Sequence, residues 1–418
     1  MNVSVRQTCR ISNEPLRTIF SLGNFYVSDF IQDTSLDYSE RIAPLEICIS
    51  DYGLVQLRHT VNPDLMYKQY WYRSNTNKTM PLQLKDVVDK LLSYIQPTSK
   101  SVWVDIGAND GTMLSFVPKS IYRLGYEPAL NDYVREATQH ASEMINDYFS
   151  ADVYPKIEKA QYITSTAMFY DIEDPHKFVS DVYQIMDDNG IWAIQINYLP
   201  LMLKQLIFDN ICHEHLEYYD LITLKKLLNG HGLEIVDCEL NDTNVGSIRV
   251  YVRKFIADEI KFATAAVRYI CKMRVESLLA YEEKLNAECP MEKQLLNFFD
   301  QITELKNSVC KFIENAVENK KTVGGYGAST KGNTLLQWFN LNSKSILGIA
   351  ERQSSKIGLY TIGSNIPIIS EEAMRKIHPD YILVLPWTFI QEFKQREKDY
   401  LETGGKFIIP GPKFEIIN

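Results

Sequence analysis

Residues 208–219 concentrate groups that can move protons. His213 and His215 flank Glu214 in the run Cys212-His213-Glu214-His215-Leu216-Glu217-Tyr218-Tyr219, and the whole chain has only 7 histidines. An imidazole beside a carboxylate and phenols is the make-up of a general acid or base. A satisfied buried histidine is the bland alternative, and for one isolated residue it would be preferred. A zinc-protease helix is excluded, because that motif needs its second histidine four positions after the first, where Glu217 stands. Histidines two apart do not share a helix face, so the run predicts no metal pair.

A second candidate is the glycine turn Asp105-Ile106-Gly107-Ala108-Asn109-Asp110-Gly111. It follows the β-rich run at 101–104 and leads into an apolar, helix-like stretch. Gly107 and Gly111 permit backbone angles that a Cβ would forbid and let a ligand approach the main chain. The helix start offers unpaired N–H groups. Glu127 ends the next short strand, 20 positions after Gly107, about the spacing at which an acid meets ribose hydroxyls in a nucleotide-binding βαβ unit. The turn is neither a dinucleotide fingerprint nor a phosphate-cradling P-loop. An acid-first turn of this kind suits a ribose without a phosphate, and S-adenosylmethionine is such a ligand. Asp105, Gly107, Asn109, Asp110, Gly111 and Glu127 are its candidate contacts.

A third candidate begins at Thr322, where a strand runs into Gly324-Gly325-Tyr326-Gly327-Ala328-Ser329-Thr330-Lys331-Gly332-Asn333. Main-chain N–H groups, a helix start and a lysine are what a diphosphate requires. Gly327, Ser329, Lys331 and Asn333 are its candidates, joined by Arg352 and Lys356, which follow the next strand. The remaining cluster is aromatic. Tyr70 and Tyr72 alternate about Trp71, beside Arg73 and Ser74, and on an extended segment they share one face. Each alone reads as packing; together they could line a polar ligand.

Elements must hold these residues. Residues 1–82 read as a small, strand-poor opening. Residues 83–255 alternate helix and strand: a helix over 82–95, strands at 101–106, 122–126 and 162–166, a helix near 175–187, a turn at 188–190 and a strand at 191–196. Such alternation predicts a parallel sheet with helices on both faces, with ligands at the carboxyl ends of the strands. Thr166 and Gln195 fall at those ends and join the cofactor candidates. Residues 233–237 and 246–252 read as antiparallel closing strands. A helical connector follows over 256–320, and a second α/β unit over 321–418.

The bulk numbers fit an α/β protein of two or three domains: 418 residues, 45% hydrophobic and 23% charged. A net charge of −9 argues against non-specific nucleic-acid binding. No stretch approaches the length needed to cross a bilayer, and no signal peptide is evident. Seven scattered cysteines make no disulfide framework, so a reducing cytoplasm is expected.

Taken together, the motifs resemble the sugar C-methyltransferases that branch nucleotide-linked 4-keto-deoxysugars. The resemblance rests on Ile106-Gly107-Ala108-Asn109-Asp110-Gly111, His213-Glu214-His215, Gly246-Ser247-Ile248-Arg249, Gly325 to Asn333, and Ile366-Pro367-Ile368 with Trp387. It implies an N-terminal zinc-binding domain, a central Rossmann-like domain for S-adenosylmethionine and a C-terminal Rossmann-like domain. It further implies a nucleotide-sugar acceptor, with the chain a monomer or weak homodimer. His215 would be the base that removes a proton beside the ketone, oriented by Glu214, with His213 as a second candidate. Tyr72 would meet the ketone or hydroxyl, with Tyr70 and Tyr219 nearby. Lys331, Ser329 and Asn333 would hold the diphosphate.

Departures from the family pattern are specific. Two C-x-x-C pairs are reduced to Cys9-x-x-Ser12 and Cys48-x-x-Asp51. Two thiolates and one carboxylate are a poor set for structural zinc, so no metal is expected there. Cys212 replaces a tyrosine, Ala167 and Asp171 replace an asparagine and a histidine, and Gln195 replaces a glutamate. Asn244-Val245-Gly246-Ser247 replaces His-Gly-Gly-Ser. These changes cluster around the acceptor and leave two alternatives open: an O- or N-methyltransferase, or a silent binding protein on the same fold.

Overall fold

The computed structural model describes residues 3–76, 79–130, 132–243, 246–255 and 263–418. Three larger sheets organise the chain. The central one has seven strands, in the spatial order Leu233–Asn241, Ser247–Lys254, Met186–Asn197, Ala160–Thr166, Val102–Ile106, Tyr122–Tyr126, Glu143–Ile145. Its first five strands in sequence are parallel, and Ser247–Lys254 is inserted antiparallel between Met186–Asn197 and Leu233–Asn241. Both faces are covered. Val102, Val104 and Ile106 belong to one apolar cluster. Trp103, Tyr162 and Ala193 point the other way, onto Leu84, Val87, Val88 and Leu91 of the helix Thr79–Tyr94. That period-two division of strand residues is what a sheet buried on both sides demands.

Two expectations change. Asp188-Asn189-Gly190 is not a separating turn but a bulge within Met186–Asn197, where Ala160 pairs with Met186 and Tyr162 with Ile191. The opening 82 residues are not strand-poor. Arg17–Tyr26, Ile42–Ile49 and Val55–Leu57 form an antiparallel sheet. Its alternation is hidden in sequence by register shifts at Thr18/Phe20 and Ser21/Gly23 and by Pro44 within a strand. Each bulge reverses the in/out phase of the residues after it.

A fourth strand of that sheet comes from far away in sequence. Glu217–Tyr218, immediately after the His-Glu-His run, pairs with Val55 and Gln56. Arg10, buried, holds it by an ion pair to Glu217 at 3.5 Å while donating to Leu57 O at 2.7 Å.

The connector is a hairpin of Ala265–Glu288 and Met291–Glu318, joined through Cys289 and Pro290. The second helix buries Leu295, Phe298, Ile302, Leu305, Val309 and Ile313, a stripe at three- and four-residue steps. Phe20 of the N-terminal sheet stacks on Phe299 at 4.7 Å. Glu282 of the first helix is buried and accepts from Leu221 N at 2.7 Å and Ile222 N at 2.9 Å, capping the helix Leu221–Asn229.

The third sheet runs Ile368–Ser370, Ile349–Glu351, Val323–Tyr326, Tyr381–Val384, Lys406–Ile409, Glu415–Ile417, parallel except for the last strand. Numbered along the chain, this is the order 3-2-1-4-5-6 of a doubly wound nucleotide-binding sheet. The N-terminal segment 26–31 is tied to it. Asn333 donates to Asp29 O at 2.8 Å, Ser28 Oγ to Thr330 O at 2.7 Å, and Phe30–Ile31 pairs with Tyr360–Thr361. Among the described residues no helix is long and apolar enough to cross a membrane.

Candidate functional site

The turn after Val102–Ile106 takes the conformation its glycines predict. Gly107, Asn109 and Gly111 have φ of 76°, 51° and 76°. A Cβ on Gly111 would lie 2.8 Å from Ala137 Cα, and one on Gly107 would press on Met168 at 3.3 Å. Glu127 braces the turn: its two carboxylate oxygens accept from Asn109 N at 2.8 Å and Ala129 N at 3.0 Å. Burial raises its pKa, against those two hydrogen bonds. Asp110 accepts from Thr112 N at 3.1 Å, at the start of the helix Thr112–Phe116.

The tyrosine segment is stitched onto this turn. Asn109 donates to Tyr72 O at 3.1 Å and accepts from Ser74 N at 2.9 Å, and Asp110 accepts from Asn75 N at 2.9 Å. Tyr67, Tyr70 and Tyr72 form a ladder with ring centroids 5.9 and 6.5 Å apart. Tyr72 is 39% exposed and so stands at the surface of the site.

Asp105 is buried and accepts from Thr164 Oγ1 at 2.7 Å; burial pushes its pKa up to about 7. It points toward the helix Thr79–Tyr94, on the Trp103 side of the sheet, where it serves the strand pair. Gln195 lies on the same side. Its Oε1 accepts from Arg249 Nε at 2.7 Å, inside a network with Asp86, Glu239 and Tyr251. Thr166 ends its strand in register with Gln195 and precedes Ala167, at φ 55°. At this carboxyl edge Asn197 is buried with neither amide atom hydrogen-bonded, an orphan that an edge-bound ligand would satisfy. Sequence reading missed it. The positive-φ cradle, the braced Glu127 and this orphan fit a nucleoside at the edge.

The His-Glu-His run is buried throughout and not helical. Its two histidines diverge. His213 Nε2 donates to Ala43 O at 3.0 Å, toward the N-terminal sheet, and burial lowers its pKa to about 4. His215 Nδ1 donates to Asn210 O at 2.8 Å. Since a carbonyl only accepts, that bond leaves Nε2 as the lone-pair nitrogen. Burial, with the Lys331 charge adding, drives its pKa to about 3. Asn210, not Glu214, is therefore the group that orients His215. Glu214 is driven the other way, to about 7, by burial against the opposing pull of Lys331 and Thr330. Tyr170 packs edge-on against His215 at 4.4 Å, and a small cavity borders Tyr170, Asn197, Met202, His215, Glu217 and Tyr218.

Lys331 differs from the phosphate-facing lysine expected. It reaches across from the C-terminal helix Thr330–Trp338 and donates to Asn210 Oδ1. Its charge bears on Asp171, Asp209, Cys212, Glu214 and His215. Asp171 is pushed well up by burial and then by the neighbouring Glu214 carboxylate. Contacts between positions 210 and 331 leave no mark in local sequence.

Other candidates are placed differently from expectation. Tyr219 is buried, packs 5.6 Å from Phe169, and lies on the Arg10–Glu217 side. Asn333 is spent on Asp29, and Ser329 Oγ accepts from Gly332 N at 3.0 Å as a helix cap. Lys356 is buried and donates to Ala328 O at 2.9 Å. Gly327 has φ of 82°, and a Cβ there would lie 2.5 Å from Pro386. Arg352 follows Glu351, the residue that sequence reading overlooked. Glu351 accepts from Ala328 N at 2.9 Å, bracing this turn as Glu127 braces the first. The signal was available: an acid closing the second strand after a glycine turn.

At the lost zinc positions, Asp51 is exposed and paired with Arg17, and Cys48 lies by Thr18. Among the described residues the convergent metal-capable set is instead Cys212, Glu214 and His215, with ligand atoms within 4.8 Å of one another. Spacing arguments based on a helix face do not apply to this irregular turn. Asn244 and Val245 lie outside the described residues.

The central sheet, with one antiparallel strand inserted next to its last parallel strand, is that of a methyltransferase domain, and residues 76–237 match a methyltransferase domain model. Residues 242–412 match a model described as the C-methyltransferase C-terminal domain. The chain is 30% identical over 385 residues to the C-methyltransferase NovU of Streptomyces niveus, covering 91% of this chain and 89% of that protein. Among solved structures it is similar to the Burkholderia thailandensis 1,6-didemethyltoxoflavin-N1-methyltransferase (9% identity, 43% of this chain, 80% of that chain, TM-score 0.34). A similar likeness holds for the mitomycin 7-O-methyltransferase MmcR (15% identity, 42% of this chain, 53% of that chain, TM-score 0.34). The chain belongs to the C-methyltransferase family. It is an S-adenosylmethionine-dependent methyltransferase with a Rossmann-like central domain.

Proposed function

We propose that the acceptor is a keto-deoxysugar linked to a nucleoside diphosphate, and that methyl goes to a carbon beside its ketone. The observation that carries this reading is the meeting of the two nucleotide-type lobes at one buried acid–base cluster, through Lys331 and Thr330 beside Asn210 and Glu214. Gly107, Asn109, Gly111 and Glu127 would hold the donor, whose sulfonium supplies an electrophilic methyl group. Gly327 and Glu351 would take the acceptor's nucleotide at the third sheet.

A carbon acid beside a ketone needs a base, and the most effective base titrates near the working pH. Glu214, pushed to about 7, meets that condition better than His215 at about 3. We therefore assign proton removal to Glu214 and leave His215 as a neutral imidazole with Nε2 as its lone-pair nitrogen. Lys331 is the cation available to the enolate oxygen, since charge developing in a dry site is stabilised by a fixed opposite charge. Tyr72, at the mouth, would contact the sugar.

The test is incubation of the purified protein with S-adenosylmethionine and a panel of nucleotide-diphosphate 4-keto-deoxysugars, with product mass and carbon NMR. A new methyl on carbon next to the ketone is expected. Acceptor incubated in deuterium oxide with S-adenosylhomocysteine should also exchange its α-proton. A methyl on oxygen or nitrogen, or no turnover and no exchange with any sugar, overturns the reading.

A further inference from the structure

The run 212–215 holds a second capacity that methyl transfer does not use. The Cys212 thiol, the Glu214 carboxylate and one ring nitrogen of His215 lie within 4.8 Å of one another, and all three residues are buried. Their chemistry is that of a soft-to-borderline metal site: a thiolate, an imidazole lone pair and a carboxylate are the three donors zinc uses when it keeps a fourth position open. The imidazole is prepared for that role. Its Nδ1–H is fixed on Asn210 O at 2.8 Å, the arrangement by which a backbone carbonyl sets the tautomer and direction of a ligating histidine.

One further observation points to a cation. Asp171 lies beside Glu214 and Cys212, and its Oδ1 is buried without a hydrogen-bond partner. Donor atoms around a tetrahedral zinc stand roughly 3.5 Å apart, given bond lengths of about 2.0–2.3 Å. Closure from the present spacing therefore requires shifts of about an ångström, within reach of side-chain rotation.

We propose that Cys212, Glu214 and His215 bind one thiophilic divalent cation of the zinc class. Bound there, the ion takes the Glu214 carboxylate and the His215 lone pair and so blocks proton removal. The binding claim stands on the geometry alone; the blocking claim rests on the functional reading above.

Cobalt(II) titrated into the chelator-stripped full chain is expected to give thiolate-to-cobalt absorption at one ion per chain, displaced by zinc. Cys212→Ser should abolish that absorption, and the double variant Cys9→Ser, Cys48→Ser should retain it. Absence of the absorption, its survival in Cys212→Ser, or its loss in the double variant overturns the site. Circular dichroism establishes that each variant is folded. Should Cys212→Ser not fold, Glu214→Gln serves instead: zinc affinity read against a chromophoric chelator should fall at least tenfold, and unchanged affinity overturns the site. Zinc should also inhibit turnover reversibly on chelator addition, with Cys212→Ser markedly less sensitive. Binding at this site without inhibition would leave the metal site intact and remove Glu214 from proton transfer.

Discussion

Replacing Glu214 with Gln should do two opposite things. The carboxyl is buried, and burial pushes its pKa from an ordinary 4.5 to about 7. Below pH 4.5 it is protonated in folded and unfolded chains alike, so its ionisation has no effect on stability. Between pH 4.5 and 7 the unfolded chain loses the proton while the folded chain keeps it, and stability falls as pH rises. Above pH 7 the penalty is complete. At about 1.4 kcal/mol per pH unit it amounts to about 3 kcal/mol, an upper figure. Gln keeps the shape and cannot ionise. The variant should therefore be more stable than wild type at pH 8 and similar to it at pH 4.5, read as unfolding midpoints in urea at both pH values. Turnover should fall by roughly 10²–10⁴-fold, the usual worth of a positioned acid–base group, while binding of S-adenosylhomocysteine stays within about twofold of wild type. Near-normal turnover would remove Glu214 as the base. A variant less stable than wild type at pH 8 would show that the buried charge is better compensated than this reasoning allows.

Lys331→Met should lower kcat more than it raises the acceptor's KM, and should move the ionisation seen in the pH–rate profile upward, because the ammonium favours ionised Glu214. A raised KM with kcat intact would return Lys331 to diphosphate binding. Gly111→Ala should weaken S-adenosylhomocysteine binding and lower stability by about 1–3 kcal/mol, since φ is 76° and the new Cβ meets Ala137 backbone; calorimetric titration and thermal unfolding check both. Glu351→Gln should raise the acceptor's KM and leave S-adenosylhomocysteine affinity unchanged, as the backbone it braces, at Ala328, Arg352 and Gln353, belongs to the third sheet.

What the sequence disclosed was what local physics dictates. Positive φ at Gly107 and Gly111 requires residues that tolerate it, so the turn announced itself, and Glu127 followed from its spacing after Gly107. The antiparallel closing strands were expected from their likeness to the last strands of a methyltransferase-type sheet, and they pair so. The N-terminal sheet was not, because bulges at Gly23 and Thr18 break the phase on which pattern reading depends. Nor was the acid–base cluster: Asn210 fixes His215, and Lys331 arrives from 121 positions away. His213 and His215 flank Glu214 alike in sequence, yet they point to different neighbours. Burial of the whole run, which sets the pKa of each group, is a property of assembled lobes.

The short strand Glu217–Tyr218 carries a practical consequence. Because it completes the N-terminal sheet and is anchored by Arg10, residues 208–219 are shared property of two lobes. Chimaeras that exchange the first 82 residues between relatives would separate Glu217–Tyr218 from its own ladder partners and Glu217 from Arg10. Grafts intended to alter acceptor choice should transplant both stretches as a unit.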